Sequence, residues 1–206
     1  MIKLLKKFKK YNRDKVSLKD FYEIEATLPG FIKNFSLYFG RDKLKKILSL
    51  VKLKKDSLIL DLGCGTGYLT RMLREKNYKV IGIDISEKRI KEAGKDFLVG
   101  DASKPPFKDK VFDCVIASDV IEHLPDDLNN IIKRLKKLVK KKGKMIISVP
   151  YGIGNNDKGH IHRLSIPEWE SLFKNNNLEI KAKKAANYSL FNIKLPIKMN
   201  HVYLLK

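Results

Sequence analysis

From Leu58 onward, short apolar runs alternate with segments whose apolar residues recur every three or four positions. Short, β-branched runs suit strands covered on both faces, and the helical spacing between them suits the helices that do the covering. The runs Leu58 to Leu62, Lys79 to Ile83, Phe97 to Val99, Val111 to Ala117 and Lys144 to Val149 predict five strands. Helices are expected between them over about residues 67–77, 87–94 and 126–141. In the last, Leu128, Ile131, Ile132, Leu135, Leu138 and Val139 share one face, and Gly143 is expected to end the helix. Ser165 to Glu168 reads as a capping box, with Trp169, Leu172 and Phe173 on the inner face of a further short helix. Leu178 to Lys183 and Met199 to Leu205 are expected as late strands. Alternation of this kind predicts an α/β fold in which a mostly parallel sheet lies between helix layers.

Ahead of the first strand, Leu44, Ile47, Leu48 and Val51 repeat at helical spacing and predict a helix packed on the sheet. Residues 1–40 are expected to form an N-terminal helical cap or lid, and residues 41–206 the main domain. Eight of the chain's 19 aromatic residues fall within positions 1–39, which favours an ordered segment over a disordered basic tail.

Charge adds a question the pattern does not raise. The 206 residues carry 44 Lys and Arg against 23 Asp and Glu, a formal net charge of +21. The excess is unevenly placed: residues 1–56 carry +10, residues 57–123 are neutral and residues 124–206 carry +11. A polyanion partner is one reading of the flanks. A compositional bias is the other, since 37 of the basic residues are Lys, only 7 are Arg, and Gln is absent. No apolar stretch approaches a membrane span, and the first ten residues lack a signal-peptide core, so a cytoplasmic protein is expected. Cys64 and Cys114 are too few for a disulfide framework or a cysteine zinc site.

The chemistry concentrates in the neutral third. Asp61-Leu62-Gly63-Cys64-Gly65-Thr66-Gly67 falls where the first strand turns into a helix, so backbone there can approach a ligand with no Cβ in the way. Its G-x-G-x-G spacing is not the dinucleotide G-x-G-x-x-G, and no Gly-Lys-Ser/Thr follows to make a Walker loop. Asp84 closes the second strand, where a carboxylate either accepts both ribose hydroxyls of a nucleoside or caps the next helix. Asp101-Ala102, after the third strand, offers an acceptor and a backbone N–H suited to an adenine edge.

With these residues in place, the sequence resembles the class I S-adenosylmethionine-dependent methyltransferases. Asp61 to Gly67 looks like their first motif, Asp84 their ribose acid and Asp101-Ala102 their adenine contact. Phe112-Asp113, Ile116-Ala117-Ser118 and Val120-Ile121-Glu122-His123-Leu124 resemble the fourth-strand signature of the type 11 group, which includes small-molecule and quinone-biosynthesis enzymes. The resemblance spans about residues 44–183. It implies a Rossmann-like three-layer sandwich with a seven-stranded, mostly parallel sheet and a reversed last strand. It also implies S-adenosylmethionine as cofactor, held by Asp61, Gly63, Cys64, Gly65, Gly67, Asp84, Ile85, Asp101, Ala102 and Ser118, with Tyr38 and Arg41 closing over its methionine end.

A base is needed only where the acceptor is a hydroxyl or a protonated amine. His123, His160 and His162 are the candidates for that base or for acceptor binding, and each has a structural reading as a hydrogen-bonded loop histidine. His160 and His162, with Asp157 nearby, lack a third ligand at recognisable spacing, so no metal is expected. Enzymes that methylate exocyclic base nitrogens share an Asn/Asp-Pro-Pro-aromatic motif after the fourth strand, where this chain has Ser118-Asp119-Val120-Ile121. A small-molecule, glycan or lipid-type acceptor is therefore expected, and the Ile2, Leu5 and Phe8 face could touch an anionic membrane. RNA or ribosomal-component methylation by the basic flanks is the alternative, and a nucleoside-binding module without catalysis is a third reading.

Overall fold

The computed structural model describes residues 40–151, 159–190 and 193–206, together with Lys19, Asp20 and Glu23. Helix α1 (Arg41–Leu50) leads into β1 (Leu58–Leu62), α2 (Tyr68–Arg74), β2 (Lys79–Asp84), α3 (Glu87–Ala93) and β3 (Phe97–Val99). The second half runs β4 (Phe112–Ser118), a 3-10 turn (Ile121–His123), α4 (Leu128–Leu138), β5 (Val139–Pro150), α5 (Ile166–Asn175), β6 (Ile180–Leu190) and β7 (Ile193–Leu205).

The strands form one sheet in the order β3-β2-β1-β4-β5-β7-β6. The first five are parallel neighbours, and β7 enters antiparallel between β5 and β6, so β7 alone is reversed. Strand alternation then divides the core into two layers. Ile59, Cys114, Ile116, Ile146 and Val202 face α1 and α2, packing with Ile47, Leu69 and Leu73. Their neighbours Leu60, Leu62, Val115, Ala117, Ile147 and Tyr203 face α4 and α5, packing with Leu128, Ile132, Leu135 and Trp169. The expected three-layer sandwich is thus present, and the strand order reverses between β1 and β4, which opens the C-terminal ends of these two strands as a crevice.

Two boundaries differ from the sequence expectation. Helix α4 stops at Leu138 rather than near residue 141, and Val139 already pairs with Phe112 as the first residue of β5. Gly143 therefore ends no helix. The register jumps from Phe112↔Val139 to Cys114↔Lys144, and Gly143 sits in the resulting bulge, where a Cβ would lie 2.6 Å from Val139 Cγ1 and 2.9 Å from the Asp113 carbonyl. Strands β6 and β7 also extend well beyond the short apolar runs that announced them, because they pair with each other over 11 and 13 residues. Tyr38, Asp157, the proposed Ile2/Leu5/Phe8 face and nearly all of the expected 1–40 cap lie outside the described residues. Among the described residues no helix is long and apolar enough to cross a membrane.

One buried cation ties the helix before the sheet to its centre. Lys144 Nζ donates to the carbonyls of Lys52, at 2.9 Å, and Leu50, at 3.5 Å, where α1 ends, and its burial lowers its proton affinity. Replacing Lys144 with Ala removes the ammonium donor from the Lys52 carbonyl, while the Leu50 carbonyl keeps the Lys52 N–H at 2.9 Å. We expect a loss of about 1–3 kcal/mol in urea unfolding, with an unchanged denaturant slope; no loss would show that water satisfies the Lys52 carbonyl equally well.

Candidate functional site

The turn after β1 is built from residues whose side chains would collide or strain if they were larger. Gly63, Gly65 and Gly67 have φ of 68°, 56° and 77°, the left-handed region that L side chains rarely adopt. A Cβ on Gly67 would stand 2.3 Å from the Phe97 ring, so glycine lets the turn close over β3. Above Gly65 the situation is opposite: an added Cβ would meet nothing within 4 Å. The turn thus presents bare backbone to open space.

Asp84, buried at the end of β2, fixes that backbone. Its Oδ2 accepts from the Gly65 N–H at 2.9 Å and its Oδ1 from the Ser86 N–H at 2.9 Å. Ser86, not Asp84, caps α3, its side chain accepting from Arg89 N. The cap alternative for Asp84 accordingly falls away, and Asp84 stands against the glycine turn. Ile85 follows it, half-buried. Gly100 N donates to the Asp84 carbonyl at 2.9 Å, which brings the next element of the series alongside. There the Asp101 carboxylate accepts from Ser103 N at 2.7 Å, and Ala102 packs on the core.

Asp61 lies beneath the turn rather than in it. It is buried opposite Gly82, and Thr70 Oγ1 on α2 donates to its Oδ2 at 2.6 Å. Burial pushes its carboxyl up to about 7, against the Thr70 hydrogen bond and with help from the nearby Asp84 charge. Burial and both carboxylates also push the Cys64 thiol up, which favours its neutral form. The space over Gly65, the adjacent Asp84 carboxylate and the Asp101-Ala102 edge together fit a nucleoside carrying a short polar chain, as S-adenosylmethionine does. Asp61 would support the backbone of such a site.

A second group gathers where β4 and β5 end beside the middle of β7, and the sequence signalled little of it. Asp119 follows β4 with φ of 55°. Its carboxylate receives Ser148 Oγ at 2.5 Å, Asn200 Nδ2 at 2.8 Å and the Lys43 ammonium from α1, while its N–H donates to Ser148 Oγ at 3.0 Å. Ser118 lies beside it, 3.3 Å from Ser148 through their hydroxyls. The Asp119 network holds the start of α1, and with it the half-buried Arg41, at the sheet edge that carries the glycine turn.

The three histidines divide. His162 donates from Nε2 to the carbonyls of Leu124, at 2.9 Å, and Asp126, at 3.1 Å, which is a structural tether. His123 and His160 pack edge to face with centroids 4.7 Å apart, and the fully buried Glu122 joins them. Sequence reading paired His160 with His162; in the fold it lies with His123 and with a glutamate that was quoted only as part of a motif.

Residues 60–147 match the family described as the methyltransferase domain. Over 125 residues the chain is 30% identical to demethylmenaquinone methyltransferase of Thermotoga maritima, covering 55% of this chain and 53% of that protein. Over 111 residues it is 38% identical to a ubiquinone biosynthesis O-methyltransferase of Pelagibacter ubique, covering 50% and 46%. The chain therefore spans about half the length of these curated relatives. Among solved structures, the protein bound to the Trm112 methyltransferase activator in a Haloferax volcanii complex shares the fold, with a TM-score of 0.75 at 19% identity over 91% of this chain and 97% of that one.

The raised Asp61 group makes stability depend on pH. The folded protein holds a proton there that the unfolded chain releases near pH 4, so this group's contribution falls as pH rises from about 4 to about 7 and is constant above. Asp61→Asn removes this dependence. In urea titrations from pH 4 to pH 8, the stability of the wild type relative to Asp61→Asn should decline through that window; a pH-independent difference would mean the carboxyl is not perturbed.

Proposed function

We propose that this chain, whose residues 60–147 match the methyltransferase domain, is a class I S-adenosylmethionine-dependent methyltransferase that transfers a methyl group from S-adenosylmethionine to an O, N or C nucleophile of a small-molecule, glycan or lipid-type acceptor. The observation that carries this reading is the open space over Gly65 beside the buried Asp84 carboxylate. When bound, S-adenosylmethionine supplies a methyl group already activated by its sulfonium charge. The protein's part is then to bind, orient and exclude water, which can account for several orders of magnitude in rate. The glycine backbone takes the cofactor's chain, Asp84 accepts from its ribose hydroxyls, and Asp101 with the Ala102 N–H reads its adenine edge. Arg41, held at the β4 tip through the neighbouring Lys43–Asp119 pair, closes the methionine end. Where the acceptor is a hydroxyl or an ammonium, His123 or His160 would take its proton. The 30% and 38% identities to quinone-biosynthesis methyltransferases support a small-molecule acceptor.

The basic flanks favour a second reading, methylation of RNA or of a ribosomal component. It demands RNA affinity that falls steeply with salt, because each neutralised phosphate releases counterions.

Calorimetric titration with S-adenosylmethionine should show one site. Gly65→Val fills the open space and strains the left-handed backbone, so affinity should fall at least about tenfold, with Arg41→Ala giving a smaller loss. Unchanged affinity in Gly65→Val would overturn the cofactor assignment. Incubating the protein with methyl-labelled S-adenosylmethionine and separated lipid, metabolite and RNA extracts should label a lipid or metabolite fraction. Label in RNA alone would establish the second reading instead.

A further inference from the structure

Beyond the cofactor site, the structure assigns a cation to the turn after β4: we propose that Glu122, His123 and His160 bind a divalent transition metal of the zinc–cobalt class. Among the described residues these three form the one group whose ligating atoms, one from each side chain, all lie within 4.8 Å of one another. A zinc-class ion binds imidazole nitrogen and carboxylate oxygen at about 2.0–2.2 Å, which draws such donors to roughly 3–4 Å apart. Only a modest side-chain closure separates the observed cluster from that geometry. Two imidazoles and one carboxylate are also the donor set that suits zinc or cobalt better than magnesium or calcium, which prefer oxygen alone.

The surrounding bonds orient the donors as a metal site requires. His123 Nδ1 lies 2.9 Å from the Gly159 carbonyl. A carbonyl can only accept, so Nδ1 carries the proton and Nε2 keeps its lone pair for a metal, the arrangement outer-sphere carbonyls impose on ligating histidines. The segment that carries His160 is pinned to the Glu122 backbone, since Ile161 N and His162 N both donate to the Glu122 carbonyl, at 2.9 and 3.0 Å. His162 fastens the other side of that segment through its two carbonyl bonds. Glu122 is fully buried, and the neighbouring Val120 touches the glycine turn, its Cγ2 lying 2.5 Å from where a Gly63 Cβ would be. Three protein ligands leave further positions on the ion, and these take water.

The test uses tag-free, full-length protein dialysed against a chelator and then titrated with Zn2+ against a chromophoric competitor, and separately with Co2+ followed by visible absorption. One equivalent of Zn2+ should bind, and Co2+ should show the ligand-field bands of a nitrogen–oxygen site. His160→Ala and Glu122→Gln should each weaken Zn2+ binding by more than the roughly 10–100-fold that loss of an outer-sphere partner costs, while His201→Asn, which lies outside the cluster, keeps it. No stoichiometric binding, or binding unaffected by His160→Ala, overturns the proposal. Should Glu122→Gln fail to fold, His160→Ala decides alone, because it alters a half-buried loop residue. S-adenosylmethionine affinity measured in parallel separates failure of this site from failure of the cofactor reading.

Discussion

The hydrogen bond from the Gly65 N–H to the Asp84 carboxylate joins the end of β1 to the end of β2, and the rest of the site is arranged around it. The turn donates this bond with its glycine backbone in the left-handed region, and it can approach β3 only because Gly67 lacks a Cβ to strike Phe97. Asp84 in turn is held by Ser86 N, and its backbone carbonyl accepts from Gly100 N, so one buried residue ties three loops together. Burial of that charge is tolerated because backbone donors meet both oxygens.

The opposite half of the crevice is organised by Asp119, which plays the same part with different partners. Lys43, Ser148 and Asn200 come from α1, β5 and β7, and all converge on its carboxylate. The reversed β7 is what places Asn200 there: an antiparallel strand between β5 and β6 brings Pro150 opposite Asn200, at the end of the sheet where β4 also stops. The two carboxylates thus fix different parts of the sheet's end, Asp84 the glycine turn and Asp119 the start of α1. Both carboxylates fall within residues 57–123, the neutral segment of a chain of +21, whereas the basic excess lies in the flanking thirds.

Much of the first half-site was legible because its chemistry is local. A strand ending in Asp-x-Gly-x-Gly-x-Gly must turn sharply, and an acid that closes the next apolar run must lie near that turn once the two strands are parallel neighbours. The role of Asp61 was not legible in the same way. Its position in the motif suggested a ligand contact, but the side chain points from the strand into the layer of α2 and bonds Thr70, nine positions away in sequence. The end of α4 was misplaced for a related reason: Val139 continues the helical apolar face, yet pairing with Phe112 offers it a strand.

By itself the sequence determined the elements, the three-layer character and the glycine–acid series, since periodicity and adjacency are properties of neighbouring residues. The tertiary structure alone decided which distant groups meet. His123 reaches Gly159 across 36 positions and Asp119 reaches Asn200 across 81, and no spacing rule links such pairs. Three histidines with similar loop settings in the sequence become one tether and two members of a cluster with Glu122, because the 159–162 backbone docks on the turn after β4 and faces His160 one way and His162 the other.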